Sequence, residues 1–276
     1  MRVARGRRWH LPRGRRDRGS NPLVDGQGFE HLRAHGVDVE IGIGRDPAVA
    51  LNQPFFTLVR EGRPFVVLKA ATSLDGRIAA ARGQRTPLTS APANAHAQRL
   101  RAEVDAIGVG VGTILVDDPL LTVRGVYRAR PLVRVIFDRQ LRTPPTARVL
   151  STRGAGPVII VTTEEGASHA AVRRPLEERC VEIEIARDGS FGAALRPLGA
   201  RGIMSLLLEG GATVHRAAWD ERLVDYVRLY VTPQTIGPAG VPLLDGQPFS
   251  SGSLVDRRIE LLGPDVLIEG YVHRPR

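Results

Sequence analysis

The stretch Asp105–Arg124, DAIGVGVGTILVDDPLLTVR, limits what this chain can fold into more than any other. Val104, Ile107 and Val109 read as a short apolar strand that runs straight into Gly108-x-Gly110-x-Gly112-Thr113. A strand followed by close glycines and a hydroxyl lets backbone N–H groups approach a phosphate. Asp117, Asp118, Thr122 and Arg124 follow closely, and Pro119 stops any helix near Asp118, so this polar cluster falls on a turn. The glycines alone read more readily as a tight strand-to-helix turn; with the acid pair and the arginine added, the reading becomes a site. The spacing does not match a Rossmann fingerprint, because the third glycine follows the second by two residues and the acids come too early for a ribose contact.

A second junction of the same kind lies far downstream. Glu209-Gly210-Gly211-Ala212-Thr213 closes a strand ending at Leu208 and opens a helix. Two such junctions in one domain suit a dinucleotide, or a cofactor plus a phosphorylated substrate. Glu209, at a strand's C-terminal end, stands where α/β sheets bind ligands.

Around these junctions the chain alternates strand and helix. Strands are expected at 65–68, 104–110, 132–138, 158–162, 181–186, 203–208, 227–231, 259–262 and 266–271. Helices are expected after a cap at Thr89 or Ser90, and at 166–179, 190–200 and 212–221. Gly263-Pro264-Asp265 joins the last two strands as a hairpin. The pattern predicts an α/β domain with a mostly parallel sheet and an antiparallel edge.

Charge separates off the first residues. The net +10 comes largely from residues 1–20, which hold eight arginines and one acid; the other 256 residues hold 31 basic and 28 acidic groups. That segment is read as a basic, disordered tail, and nucleic acid is not expected as a partner, since Trp9 is its only aromatic. Residues 21–58 offer one short helix near 29–35, ended by Gly36, and an alternating strand from Val37 to Ile43. This is a fragment of a domain, and residues 60–276 form the main one. No apolar run approaches the length of a membrane span and no secretory pattern is present, so the expectation is cytoplasmic. The single cysteine, Cys180, precludes a disulfide framework, and no metal site is expected from the seven histidines.

Lys69 is the only lysine in a chain with 38 arginines, and it ends an apolar strand. A desolvated lysine can give up a proton where an arginine cannot, so Lys69 hints at proton transfer; a lysine snorkelling from a strand end is the plain alternative. Arg101 and Arg124 could fork onto a substrate phosphate.

Taken together, Lys69-Ala-Ala-Thr-Ser-Leu-Asp-Gly76, Leu100-Arg101…Asp105-Ala-Ile…Gly112-Thr113…Asp117-Asp118-Pro119-x-Leu121-Thr122-x-Arg124 and Glu209-Gly210-Gly211 resemble the reductase domain of the bifunctional riboflavin-biosynthesis deaminase/reductase. Leu223-Val224-Asp225 and Pro233-x-x-x-Gly237 fit as well, and the resemblance spans about residues 60–272. It implies a dihydrofolate-reductase-like α/β fold: a mostly parallel central sheet, an antiparallel C-terminal hairpin and helices on both faces. It also implies an NADPH-dependent oxidoreductase that reduces 5-amino-6-(5-phosphoribosylamino)uracil to its ribitylamino product, working as a homodimer. By position, Ala71, Thr113, Asp117 and the 211–217 loop (Gly211, Ala212, Thr213, Val214, His215) should face NADPH. Arg139, just past strand 132–138, could meet its 2′-phosphate. Arg101, Leu121 and Arg124 should face the phosphorylated pyrimidine. Lys69 and Glu209 are the catalytic candidates, expected to pair so that Lys69 stays protonated. Arg85-Thr86-Pro87 stands where the family often has Ser-x-Trp. Residues 21–58 resemble the end of that family's deaminase domain, without its His-x-Glu and Pro-Cys-x-x-Cys zinc ligands, so no metal is expected. A related reductase acting on another pyrimidine or pterin-like substrate, and a non-catalytic remnant with a nucleic-acid-binding tail, are the alternative readings.

Overall fold

A computed structural model of the chain describes residues 9–11, 26–41 and 43–274. They divide into two units, one up to Gly62 and one covering Arg63–Arg274.

The first unit holds β1 (Trp9–Leu11), α1 (Gln27–Ala34), β2 (Val39–Ile41), α2 (Arg45–Leu51) and α3 (Gln53–Glu61). Helix α1 ends as its glycine demanded, with Gly36 at φ 75° just past the last turn. One correction falls on the basic segment. Trp9–Leu11 is not structureless but a strand, paired in parallel with Val39–Ile41. The rest of residues 1–20 lies outside the described residues.

The second unit runs β3 (Phe65–Thr72), β4 (Arg77–Ala79), α4 (Ala91–Glu103), β5 (Ala106–Gly110), α5 (Val111–Asp117), β6 (Val133–Phe137) and β7 (Val158–Thr162). It continues through α6 (Glu164–Ser168), α7 (Ala170–Glu177), β8 (Glu182–Ile185), α8 (Phe191–Ala200), β9 (Ser205–Gly210) and α9 (Ala212–Asp220). It closes with β10 (Tyr226–Val231), β11 (Val241–Pro242), β12 (Val255–Leu262) and β13 (Asp265–Tyr271). Nine strands form one sheet in the order β12-β13-β10-β3-β9-β5-β6-β7-β8. The seven from β10 to β8 are parallel, and β13 and β12 complete the edge antiparallel.

Strand alternation assigns each side chain to one of two cores. Val66, Leu68 and Leu208 pack with α8 and α9 on one face. Ile107, Leu207 and Tyr230 pack with α4, α5 and α7 on the other. Helices therefore cover both faces, as a parallel sheet requires. Each fully buried aliphatic side chain in these layers is worth roughly 1.5–3 kcal/mol.

Two local expectations change. The helix read at 166–179 is two helices, because His169 sits at φ −80°, ψ 81° and its ring closes back on the Glu165 carbonyl. Gly166 explains where the first must lie, since a Cβ there would stand 2.4 Å from the Arg139 carbonyl and from Thr162 Oγ1. The polar cluster after β5 is not all on a turn. A seven-residue helix carries Thr113 and Asp117, and Asp118 ends it in the left-handed region at φ 39°, ahead of Pro119.

Candidate active site

The sheet order brings the two glycine junctions together. β9 lies between β3 and β5, so the C-terminal ends of these three strands open side by side. The register pairs Leu68 with Leu208, which sets Lys69 and Glu209 level on adjacent strands. Strand neighbours lie about 4.8 Å apart. Thr113, in the first turn of α5, faces the Gly210–Gly211 turn: Cβ atoms there would lie 3.4 and 3.7 Å from its hydroxyl. Gly210 has φ 156° and the peptide to Gly211 is cis.

The glycines of the first junction serve different ends. Gly108 is in mid-strand, where a Cβ would come within 2.9 Å of the Phe137 ring and 3.1 Å of Leu206, so packing requires it. Gly110 caps α5 against Val214, and a Cβ at Gly112 would meet nothing. Close approach for a ligand is therefore a property of Gly112 and of the 210–211 turn.

A cleft of about 1140 Å³ lies over these ends. Lys69, Ala71, Thr113, Asp117, Arg139, Glu209 and the residues from Gly211 to His215 all line it. Arg101, Leu121 and Arg124 do not. The Arg101 guanidinium donates through Nε and Nη2 to the two Glu209 oxygens, both at 2.7 Å, and through Nη1 to the Thr122 carbonyl at 3.1 Å. It comes from α4, whose buried stripe is Ala93, Ala97 and Leu100, and it reaches the C-terminal end of β9 in the middle of the sheet. Leu121 is 3% exposed and belongs to the core on the α4 side. Arg124 is exposed, and its backbone N–H donates to the Gln98 side chain.

The expected Lys69–Glu209 ion pair is thus replaced. Glu209 gives both oxygens to Arg101, and no ion pair within 4 Å joins it to Lys69 among the described residues. Lys69 Nζ instead sits 5.3 Å above the Tyr230 ring, whose hydroxyl meets His96 Nδ1 at 2.7 Å. The expected balance, in which the carboxylate outweighs burial at Lys69, is corrected too. Burial pulls the Lys69 pKa down most strongly; Glu209 raises it, Arg101 lowers it, and the net shift is downward. Burial pushes the Glu209 carboxyl upward, but Arg101 and Lys69 overcome it and leave it below its ordinary value. The site is a three-charge cluster in which two cations share one buried carboxylate.

Several cleft groups await partners. Asp117 Oδ1, Asp138 Oδ1 and both ring nitrogens of His215 are buried without a hydrogen bond among the described residues. The Leu208 carbonyl lies near His215 and favours its charged form, but burial dominates and brings the imidazole down to about 4. The unfolded chain therefore takes up this proton first. Between pH 6.5 and 4 the buried His215 should cost about 3 kcal/mol of stability, a penalty absent above pH 6.5. Urea unfolding at pH 7 and 4.5 should show a steep loss in the wild type and a shallower one in His215→Gln; parallel losses would mean other groups dominate.

Asp138 and Tyr230 were not picked out from the sequence. The signal for Asp138 was its place just past β6, at the crevice end of a strand. Tyr230 gave none, because an aromatic inside a strand reads simply as core.

A parallel-sheet α/β domain with a buried Lys–Glu–Arg cluster beside paired glycine turns defines a reductase of the dihydrofolate-reductase-like class. The family model for the RibD C-terminal domain matches residues 64–268, and the chain belongs to that family. Riboflavin biosynthesis protein RibD of Aquifex aeolicus is 34% identical over 254 residues, covering 90% of this chain and 69% of that one. The Bacillus amyloliquefaciens protein of the same name is 36% identical over 255 residues, covering 89% and 67%. Among solved structures, Acinetobacter baumannii RibD superposes with a TM-score of 0.76 at 31% identity, covering 91% of this chain and 69% of that one. A Thermotoga maritima diaminohydroxyphosphoribosylaminopyrimidine deaminase/5-amino-6-(5-phosphoribosylamino)uracil reductase superposes with a TM-score of 0.74 at 31% identity, covering 90% and 67%. The chain is an oxidoreductase of the riboflavin pathway.

Proposed function

We propose that the second unit reduces 5-amino-6-(5-phosphoribosylamino)uracil to 5-amino-6-(5-phosphoribitylamino)uracil with NADPH. The observation that carries this is the level placement of Lys69 and Glu209 at the floor of a cleft whose wall holds unpartnered polar atoms. The cleft is larger than most drug-sized pockets, which suits a dinucleotide and a second ligand together. α9 opens at Gly211 with no side-chain cap, so its first N–H groups are free to meet a pyrophosphate. Thr113, Asp117 and His215 offer donors and acceptors beside it, and Arg139 lies farther along the sheet, past β6.

NADPH supplies the hydride when bound. The protein's part is orientation and the proton. Arg101 fixes the Glu209 carboxylate in one rotamer by its two-pronged grip, so Glu209 can hold the opened sugar chain. Lys69, with its depressed pKa, would supply the proton that the substrate nitrogen needs. Packing Tyr230 beneath Lys69 keeps the ammonium aimed into the cleft. No deaminase chemistry is expected of residues 21–58, whose sequence lacks that family's zinc ligands. A homodimer is expected from the family resemblance, which sedimentation would test.

Fluorescence titration with both nucleotides tests the cofactor. Binding of NADPH well ahead of NADH is the expected result, and equal or absent binding would overturn it.

A further inference from the structure

The strand next to Lys69 supplies the surface on which its side chain rests. β10 pairs with β3 so that Arg228 stands level with Lys69, and Tyr230 level with Ala71. Arg228 is occupied by Glu269, whose carboxylate lies 3.1 Å from its Nε. Tyr230, two residues on, offers the ring above which Lys69 Nζ lies, 5.3 Å from the centroid. That ring is fully buried in the core on the α4 side. Its hydroxyl meets Nδ1 of the half-buried His96 at 2.7 Å, and the two rings stand edge to face, 5.9 Å apart. His96 comes from α4, the helix that also supplies Arg101. One helix thus reaches two neighbours of Lys69, holding Glu209 through Arg101 and Tyr230 through His96.

The protonation states of the pair are set by what surrounds it. Burial holds the Tyr230 phenol protonated far above its ordinary range. His96 faces Arg99 on its own helix, Arg228 on β10, Glu269 on β13 and Glu260 on β12. Burial and the two arginines outweigh the two acids, so its pKa is lowered and the ring is neutral at and above pH 7. Around Lys69 itself, burial lowers the pKa most, Glu209 raises it and Arg101 lowers it, while His215 on α9 is neutral above pH of about 4. Above pH 7, then, Lys69 is the group in this cluster that changes charge. A cation above an aromatic face is attracted by the ring quadrupole, most strongly where water is excluded.

We propose that His96 and Tyr230 are a positioning pair for Lys69: the phenol donates its hydrogen bond to His96, and the ring so fixed holds the Lys69 ammonium from below. A phenol that donates to an imidazole carries more electron density in its ring than a free one, so His96 acts on Lys69 through Tyr230 without touching it. The consequence for turnover rests on the reductase reading, whereas the hold on the ammonium is measurable without turnover.

Lys69 is the only lysine of the chain, so full-length protein grown with lysine isotopically labelled at Cε gives one side-chain resonance, whose pH titration reports this ammonium alone. Attraction between a desolvated ammonium and a ring is large enough to move the midpoint by about one pH unit. Tyr230→Leu, which removes the ring, should lower the midpoint by that much. Tyr230→Phe and His96→Leu each lose the same hydrogen bond but keep the ring, so both should lower it by a smaller step. The double variant should go no further than either, since the two changes remove one interaction. His96→Gln offers the phenol an amide oxygen and should restore the wild-type midpoint. The alkaline limb of kcat should move with the resonance. A pair that only fastens α4 to the sheet would lower thermal stability in these variants and leave the Lys69 midpoint unmoved, and that result overturns the proposal. Should Tyr230→Leu fail to fold, the Tyr230→Phe and His96 variants decide the matter by the same resonance. The expected midpoint shifts in a chain that reduces nothing would sink the reductase reading and leave the pair standing.

Discussion

Glu209→Ala should nearly abolish reduction and also destabilise the domain. The substitution leaves the Arg101 guanidinium with one carbonyl, from Thr122, in a place where its side chain is 16% exposed. Removing one member of a buried pair costs roughly 3–5 kcal/mol, because the remaining charge stays desolvated and unpaired. Lys69 loses the one influence that raises its pKa, while burial and Arg101 still lower it. Glu209→Gln keeps the shape and a hydrogen-bonding oxygen, so it should lose less stability yet still lose most of its activity. The double change Arg101→Leu with Glu209→Leu separates the two effects. It removes both charges, so urea unfolding should recover much of the loss, while turnover should not return. Full activity in Glu209→Gln would show that the carboxylate is only structural.

Lys69→Met should lower kcat by about 10²–10⁴, the usual contribution of a positioned proton donor, with NADPH affinity nearly unchanged. Lys69→Arg should do much the same, since an arginine holds its proton and is too bulky for the place above Tyr230. The pH profile gives the sharper check. If Lys69 must be protonated to act, kcat falls as pH rises through its pKa. That limb should lie below the ordinary 10.5, because burial lowers the value. In Glu209→Gln the limb should shift lower still, and in Lys69→Met it should vanish along with most of the rate. Near-normal kcat in both Lys69 variants would mean that the proton comes from water.

The sequence by itself determined the fold class, most strand positions and the floor of the cleft. Glycine spacing, strand alternation and the lone lysine are local signals: Gly211 opens α9 and Glu209 stands next to last in β9, whereas Lys69, expected at a strand end, lies inside β3 with Ala70, Ala71 and Thr72 still to follow. Every residue assigned to the cofactor lines the cleft, because those assignments rested on strand-to-helix junctions whose geometry is set within a few residues. What the sequence could not supply was pairing across the sheet. Arg101 and Glu209 are 108 residues apart, and only the order β3-β9-β5 with α4 packed across it brings them into contact. The same packing gave Lys69 a ring beneath it where a carboxylate partner was expected, and set the sign of its pKa shift through burial. It buried Leu121 and left Arg124 outside, although both lie in the motif that drew attention first. The physical reason is that desolvation and ion pairing are set by which surfaces meet, and that depends on contacts far apart in the chain.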